Sequence, residues 1–402
     1  MRNLSSRPGD RVLNWLDDSA RRLQRAGLGR AIPRIVSGES VIDLSGNDYA
    51  NLAHHPRVIQ AIADAAAAWG AGATGARLVS GNTTIHVQLE EELAAFHGVE
   101  AAILLSSGYM ANLAALTALC RPRSLLVVDE FAHASLVDGC RLSGAETVTF
   151  SHNSPVAAGN LLTEYRRSRA LVATESVFSV DGDVAPLQEL LNVCRAHNAA
   201  LLVDDAHGLG VLGNGGRGAL VAAGLMRQPD VIATSSLGKS LSAQGGVVLG
   251  PRRVIDHVIN TARPFLYDTA LAPVSAAAAL AAVHVLKHEP ERANAARSMA
   301  VRLAALLAAR GLAVSEPRAA VFSIRAPSAA HAVAWTSACR SNGVLVGCFR
   351  PPSVPDHQSR LRLGVHPGLD LARVERAADV IARYTPWEVP QGPGKVVSPG
   401  SS

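Results

Sequence analysis

The sequence predicts an α/β protein: a large, mostly parallel sheet flanked by helices, followed by a smaller α+β domain. Three observations predict it. Short apolar runs alternate with helix-spaced segments from about residue 57 to residue 286. Several of those runs end in acidic, basic or small polar residues. Beyond residue 286 the helices become rich in Arg and Ala and only short strand candidates remain. Apolar runs without polar alternation suit strands buried on both faces, and strands that alternate with helices favour parallel connections. At 402 residues, with 48% apolar and 18% charged residues, the chain is long enough for two domains and a substantial core.

In chain order, residues 1–45 read as an N-terminal arm, with a helical pattern from Val12 to Ala26 that Gly27 ends. "VIDL" is a short strand breaking into a turn at Gly46-Asn47-Asp48. Residues 46–286 form the expected large domain. Its strands are "AAILLSS", "SLLVVDE", "ALVATESVF", "ALLVDDAHG", "DVIATSS" and "GGVVLG". Between two of them, "PLQELLNVCRAHN" sets Leu187, Leu190, Leu191 and Cys194 on one helix face. The Ala-rich stretch 272–286 is too short to span a bilayer and reads as a buried helix. Residues 287–386 form the expected small domain: a helix from Glu291 to Arg310, strands at "VFSIRA", "LVGCFR" and "RLRLGV", and a last helix from Asp370 to Tyr384. A Pro/Gly/Ser tail, expected to be disordered, occupies 387–402.

The formal charge of +5 includes no run of five or six like charges, so nucleic-acid binding has no footprint. Cys120, Cys140, Cys194, Cys339 and Cys348 are scattered, odd in number and without a CxxC. They point to reduced thiols in a cytoplasmic protein, with neither a disulfide framework nor a metal site. No signal-type apolar segment opens the sequence, so a soluble protein with no membrane partner is expected.

Ligands of an open parallel sheet bind beyond the carboxyl ends of its strands. Here those ends carry Ser106-Ser107-Gly108-Tyr109, Asp129 with His133, Glu175 with Ser179, Asp204-Asp205 with His207, and Thr234-Ser235-Ser236 with Lys239. A carboxylate such as Asp204 at the end of a buried strand needs a cationic partner. "SSGYMAN" opens a helix whose free N–H groups can cradle a phosphate, although alone it also reads as an ordinary serine N-cap. Lys239, just past a buried strand, is suited to act as an amine nucleophile; alone it also reads as a surface lysine. His133 likewise reads by itself as a cap or core histidine. The combination points to a site.

"DDAHGLG", with Lys239 35 positions after Asp204, resembles the pyridoxal 5'-phosphate (PLP)-dependent transferases of fold type I, which are aspartate aminotransferase-like. More narrowly it is similar to the α-oxoamine synthases, as are "SGNDYANL", "GATGARLVSGNTTIHVQLEEELAAF", "SSGYMANLAAL", "FAHASLVDG" and "ESVFSVDGDVAPL". The likeness runs from about Val12 to Tyr384. It implies a seven-stranded, mostly parallel sheet, PLP as cofactor, and a homodimer with shared active sites. It also implies a decarboxylating condensation of an amino acid with an acyl thioester.

The resemblance further assigns roles. Lys239 would carry the cofactor aldehyde as a Schiff base and then serve as the base at Cα. Asp204 would keep the pyridinium nitrogen protonated, which answers its need for a cation. His133 would stack on the ring, while His207 and Ser179 would lie near the ring 3-oxygen. Ser107, Gly108, Tyr109 and Ser236 would hold the phosphate, and Thr269 would reach the phosphate of a neighbouring subunit. Asn47 lies on the substrate side. Arg362 would hold the amino-acid carboxylate, with Arg360 and Arg350 as neighbouring alternatives, and Arg30 would lie in the acyl-donor channel. "CFRPPSVP" and "SRLRLGV" are most similar to the members that use L-alanine and a pimeloyl thioester, carried by CoA or by an acyl-carrier protein. Members using glycine or serine, and a non-catalytic partner subunit, are the alternatives. "NDYANL", "GAR" and Asp268 depart from the family pattern; an acid beside a phosphate is repulsive, so Asp268 is expected to point away from it.

Overall fold

The computed structural model describes residues 10–386 apart from 36, 37, 39 and 355, so the expected tail at 387–402 lies outside the described residues. Its strands are β1 (Ile42–Leu44), β2 (Ala101–Leu105), β3 (Leu125–Asp129), β4 (Glu146–Phe150), β5 (Ala170–Glu175) and β6 (Ala200–Asp204). They continue with β7 (Val231–Ser236), β8 (Gly246–Gly250), β9 (Val321–Arg325), β10 (Val344–Phe349) and β11 (Arg360–Gly364).

Seven strands form one sheet in the order β2-β8-β7-β6-β5-β3-β4. From β7 to β4 every pairing is parallel, and β8 runs antiparallel to both its neighbours. Alternate residues feed two cores. Leu201, Val203, Val127 and Val172 pack on one side, and Leu202, Leu126, Val128 and Leu171 on the other. That two-sided burial is why these strands read as unbroken apolar runs.

Strand β4 is the exception, and its pattern is absent from the apolar runs of the sequence. It is the edge strand beyond β3, two of its five residues are exposed, and "ETVTF" therefore alternates instead of running apolar.

A second sheet, β1-β10-β11-β9, packs with the helices Glu291–Ala309, Ala329–Ser341 and Leu371–Arg383 around a separate core that includes Trp335, Phe322 and Leu363. Strand β1 pairs parallel with β10, so residues 42–44 join the C-terminal sheet. The turn after β1 then carries Asn47 and Tyr49 from the small sheet toward the carboxyl edge of the large one. Among the described residues no helix is long and apolar enough to cross a membrane. The five cysteines are free, and burial pushes the thiols of Cys120, Cys140, Cys194 and Cys339 up to about 12.

Candidate active site

Five strand ends of the large sheet converge on one cavity of about 230 Å³, whose wall includes Ser107, Gly108, His133, Asp204, His207 and Lys239. Tyr109, Ser236, Glu175, Asn112 and Ser135 complete its polar lining. The parallel register explains the convergence: Glu175 pairs with Asp204 and Asp204 with Thr234, so β5 and β6 end at one level and β7 runs two residues further on the same side.

Asp204 is buried and held from two directions. Its Oδ2 accepts from Asn112 Nδ2 at 2.6 Å, and its Oδ1 accepts from the Ala206 N–H at 3.0 Å. The second Asn112 N–H goes to Ser135 Oγ at 2.8 Å, and its carbonyl accepts from the Thr234 hydroxyl. Ser135 Oγ in turn lies 2.7 Å from His133 Nδ1, which also accepts from the Ser135 N–H at 3.2 Å. With Nδ1 acting as acceptor, the His133 proton sits on Nε2. One buried amide thus aligns both the acid and the exposed histidine in the cavity wall.

Lys239 Nζ lies 2.7 Å from His207 Nε2, and His207 Nδ1 lies 2.8 Å from Tyr49 Oη. Arg362 Nη2 donates to Tyr49 Oη at 2.6 Å and to Asn47 Oδ1 at 2.7 Å, while its Nε donates to the Ser179 carbonyl at 2.6 Å. Nη1 of Arg362 has no acceptor among the described residues. Desolvation pulls the Lys239 ammonium down to about 8, although Asp204 and Glu175 favour its charge. Desolvation, helped by the Lys239 and Arg362 charges, also holds His207 well below its ordinary value, so it stays a neutral imidazole. Glu175 is pushed well above its ordinary value by burial and by Asp204, and its Oε1 finds no partner among the described residues.

At the opposite end, Ser107 caps the helix Gly108–Leu119 by accepting from the Met110 N–H at 3.2 Å. The N–H groups of Gly108 and Tyr109 are left at the cavity wall without an acceptor among the described residues. Gly108 has to be glycine here, since a Cβ would stand 2.9 Å from Ser236 Cβ and 3.2 Å from its Cα. Ser236 Oγ accepts from the Gly238 N–H at 3.1 Å. The Tyr109 hydroxyl points outward to Asp138. Asp268 accepts from the Ser106 hydroxyl, beside the helix start. Thr269 is exposed and outside this chain's own cavity.

A second, larger cavity of about 730 Å³ shares His133, His207 and Lys239 with the first and extends past Asn47, Ser179 and Arg362. Phe349 borders it and lies under the Arg362 guanidinium, 5.5 Å from the ring centroid. Arg30 is exposed and donates to Ser353 Oγ at 3.0 Å; Ser353 also lines this cavity. Arg360 is turned elsewhere, bound to Asp181 and Asp356, and Arg350 donates to the Gly27 and Gly29 carbonyls. Of the three candidate arginines, Arg362 is the one on the cavity.

Three residues of the site escaped the sequence reading: Asn112, Tyr49 and, as a group with a role, Glu175. Asn112 sits in mid-helix and Tyr49 in a turn, and each meets its partner only across the sheet. Glu175 stood at a strand end, and Asn112 and Tyr49 lay inside "SSGYMANLAAL" and "SGNDYANL" with no role of their own to be read there.

The donor set fits PLP. A helix N-terminus with two unused N–H groups and a glycine cradle suits a phosphate. Beyond it stand a buried carboxylate for a ring nitrogen, a histidine for the ring face and an amine of lowered pKa for the aldehyde.

Comparison with known proteins agrees. The family model for aminotransferase class I and II matches residues 39–381. The 8-amino-7-oxononanoate synthases of Mycobacterium sp. strain JLS and Mycobacterium tuberculosis strain H37Ra are both 48% identical to this chain. Each match covers 94% of it, with 98% and 96% of the relatives' lengths. Among solved structures, serine palmitoyltransferase from S. paucimobilis with bound PLP superposes at a TM-score of 0.86, with 27% identity over 94% of this chain and 98% of that one. The 8-amino-7-oxononanoate synthase of Francisella tularensis superposes at 0.73, with 28% identity over 86% and 97%. The chain belongs to the class I and II aminotransferase family and, within it, to the PLP-dependent α-oxoamine synthases.

Proposed function

We infer that the chain condenses L-alanine with a pimeloyl thioester, releasing carbon dioxide and the free thiol and leaving 8-amino-7-oxononanoate. The observation that carries the reading is one cavity in which Lys239, Asp204 and His133 stand together, opening into a larger one bordered by Arg362. The choice of substrates is supported by the relatives at 48% identity over nearly their whole lengths.

PLP, when bound, supplies an electron sink for a carbanion at the amino acid's Cα. Asp204, fixed by Asn112, would hold a proton on the ring nitrogen, and a low local dielectric strengthens that ion pair. His133, with its Nδ1 engaged, would present its ring to the cofactor face. Ser107, the Gly108 and Tyr109 N–H groups and Ser236 would take the phosphate. Arg362 uses Nε and Nη2 on the protein and offers Nη1 to the alanine carboxylate.

Lys239 Nζ takes the Cα proton, and the desolvation that lowers its pKa to about 8 favours the neutral amine a base requires. Its contact with His207 Nε2 gives the ammonium an acceptor while the proton is held. The new bond joins alanine Cα to the acyl carbon as the carbon–sulfur bond breaks, and the departing thiolate takes a proton from solvent. The bond from Cα to the carboxylate then breaks, carbon dioxide departs, and Lys239 Nζ returns a proton to Cα. A homodimer in which the exposed Thr269 serves the neighbouring copy, a CoA or carrier-protein acyl donor, a cytoplasmic location and Arg30 at the channel mouth belong to the same reading.

The test is product analysis by mass spectrometry. Alanine, glycine and serine are offered with pimeloyl, succinyl and acetyl thioesters, and the aminoketone from alanine and the pimeloyl thioester is expected to dominate. Lys239→Ala is expected to abolish both this product and the visible absorbance of the lysine-bound cofactor. Faster turnover of glycine or serine than of alanine would overturn the substrate assignment.

A further inference from the structure

His152 lies outside the cavity around Lys239, in the turn after edge strand β4, yet it joins two of the loops that shape the site. Its ring stands between two carboxylates. Nδ1 is 2.9 Å from Asp129 Oδ1, and Nε2 is 2.8 Å from Asp183 Oδ2. An imidazole that donates from both nitrogens is an imidazolium. Phe131 stacks on the ring at 4.3 Å between centroids and 20° between planes, and Phe178 meets it edge-on at 4.3 Å. A cation over an aromatic face is attracted by the ring quadrupole.

Each carboxylate anchors a different loop. Asp129 ends β3, and its Oδ1 also accepts from the Phe131 N–H at 2.9 Å, at the start of the loop that delivers His133. Asp183 belongs to the hairpin closed by the Val177–Val184 bridge, which also carries Ser179. The Ser179 carbonyl accepts from Arg362 Nε. Phe131, His133, Ser179 and Arg362 all border the larger cavity.

We propose that His152 is a positioning residue, an ionic pin that fixes the loop 129–133 against the hairpin 176–184 and so sets His133 relative to Arg362 across the cavity.

The groups around the ring are consistent with a held charge. Among the described residues neither Asp129 nor Asp183 pairs with another cation. Glu130 Oε1 accepts from the His152 backbone N–H at 2.7 Å, adding a third acid nearby. The Asn153 amide, which approaches Nε2 at 3.2 Å, donates to Asp183 Oδ2 at 2.7 Å. Asp181, on the same hairpin, is taken up by Arg360 and Ser323. Burial opposes the charge on His152, but the hydrogen bonds and charges of Asp129 and Asp183 prevail and lift its pKa to about 9.

The test uses the PLP-loaded protein and two variants, His152→Gln and Asp183→Ala. Two quantities are read between pH 7 and 10: the induced circular dichroism of the bound cofactor, and the dissociation constant of L-alanine from the visible spectrum. Alanine as probe rests on the function inferred above; the dichroism does not. His152→Gln is expected to weaken alanine binding about tenfold at pH 7.5, the equivalent of one charge-assisted hydrogen bond, and to alter the dichroism.

The ratio of variant to wild-type constants, in which titration of alanine itself cancels, is expected to fall toward one above pH 9 as the wild type loses the same proton. Asp183→Ala is expected to weaken alanine binding yet leave the dichroism unchanged, because Asp129 still pins the loop bearing His133. It also carries the test should His152→Gln fail to fold. A ratio of one at pH 7.5, or a raised ratio that does not move with pH, would overturn the pin. No alanine response in the wild type would overturn the substrate assignment and leave the dichroism to decide the pin.

Discussion

Replacing Asn112 by aspartate puts a second carboxylate where an amide now donates to Asp204 Oδ2 at 2.6 Å, at a side chain only 1% exposed. Two like charges at that separation repel by about 6 kcal/mol at an effective dielectric of about 20. The new acid can avoid this by keeping a proton. At pH 7 that costs about 4 kcal/mol, from roughly three pH units above an ordinary aspartate pKa at about 1.4 kcal/mol each. The cheaper route caps the penalty. At pH 5 the same protonation costs about 1.5 kcal/mol.

The sign follows from linkage. A carboxyl whose folded pKa is raised destabilises the fold above its unfolded pKa and ceases to do so below it. Asn112→Asp apo-protein should therefore lose more stability at pH 7 than at pH 5, by about 2.5 kcal/mol. Denaturant unfolding of variant and wild type at both pH values measures it. An equal loss at the two pH values would refute the argument, because it would mean that the substituted side chain does not face Asp204.

Two further outcomes follow from the site. Capture of PLP by the apo-protein requires a neutral Lys239 amine, and its pKa is lowered to about 8 by desolvation. The capture rate, followed by stopped-flow absorbance, should rise as the pH passes through about 8, and a rate flat from pH 7 to 9 would contradict this. Gly108→Ala would bring a Cβ to 2.9 Å from Ser236 Cβ and 3.2 Å from its Cα, where backbone must move. Titration of the apo-variant should show PLP affinity lowered at least tenfold, a cost of about 1.4 kcal/mol or more, with the fold retained by far-ultraviolet circular dichroism.

The large sheet and the chemistry at its edge were legible in the sequence. Strands such as β3 and β6 are buried on both faces and read as apolar runs, and the parallel connection sends each one's carboxyl end to the same side. Lys239, Asp204, His133 and His207 could therefore be grouped without coordinates. Strand β4 could not be read from apolar runs, because an edge strand with one wet face alternates. Only the tertiary structure decided which partners those side chains meet. Asn112 reaches Asp204 from a helix 92 positions away, and Tyr49 reaches His207 across 158. His152 looks like an ordinary turn histidine until the fold sets Asp129 and Asp183 on either side of it. The fold likewise chose Arg362 over Arg360, two residues earlier on the same strand, and over Arg350, just past β10, by placing it on the cavity. Local pattern records the period and burial of an element, whereas hydrogen-bond partners depend on distances that the chain sets only once it has closed on itself.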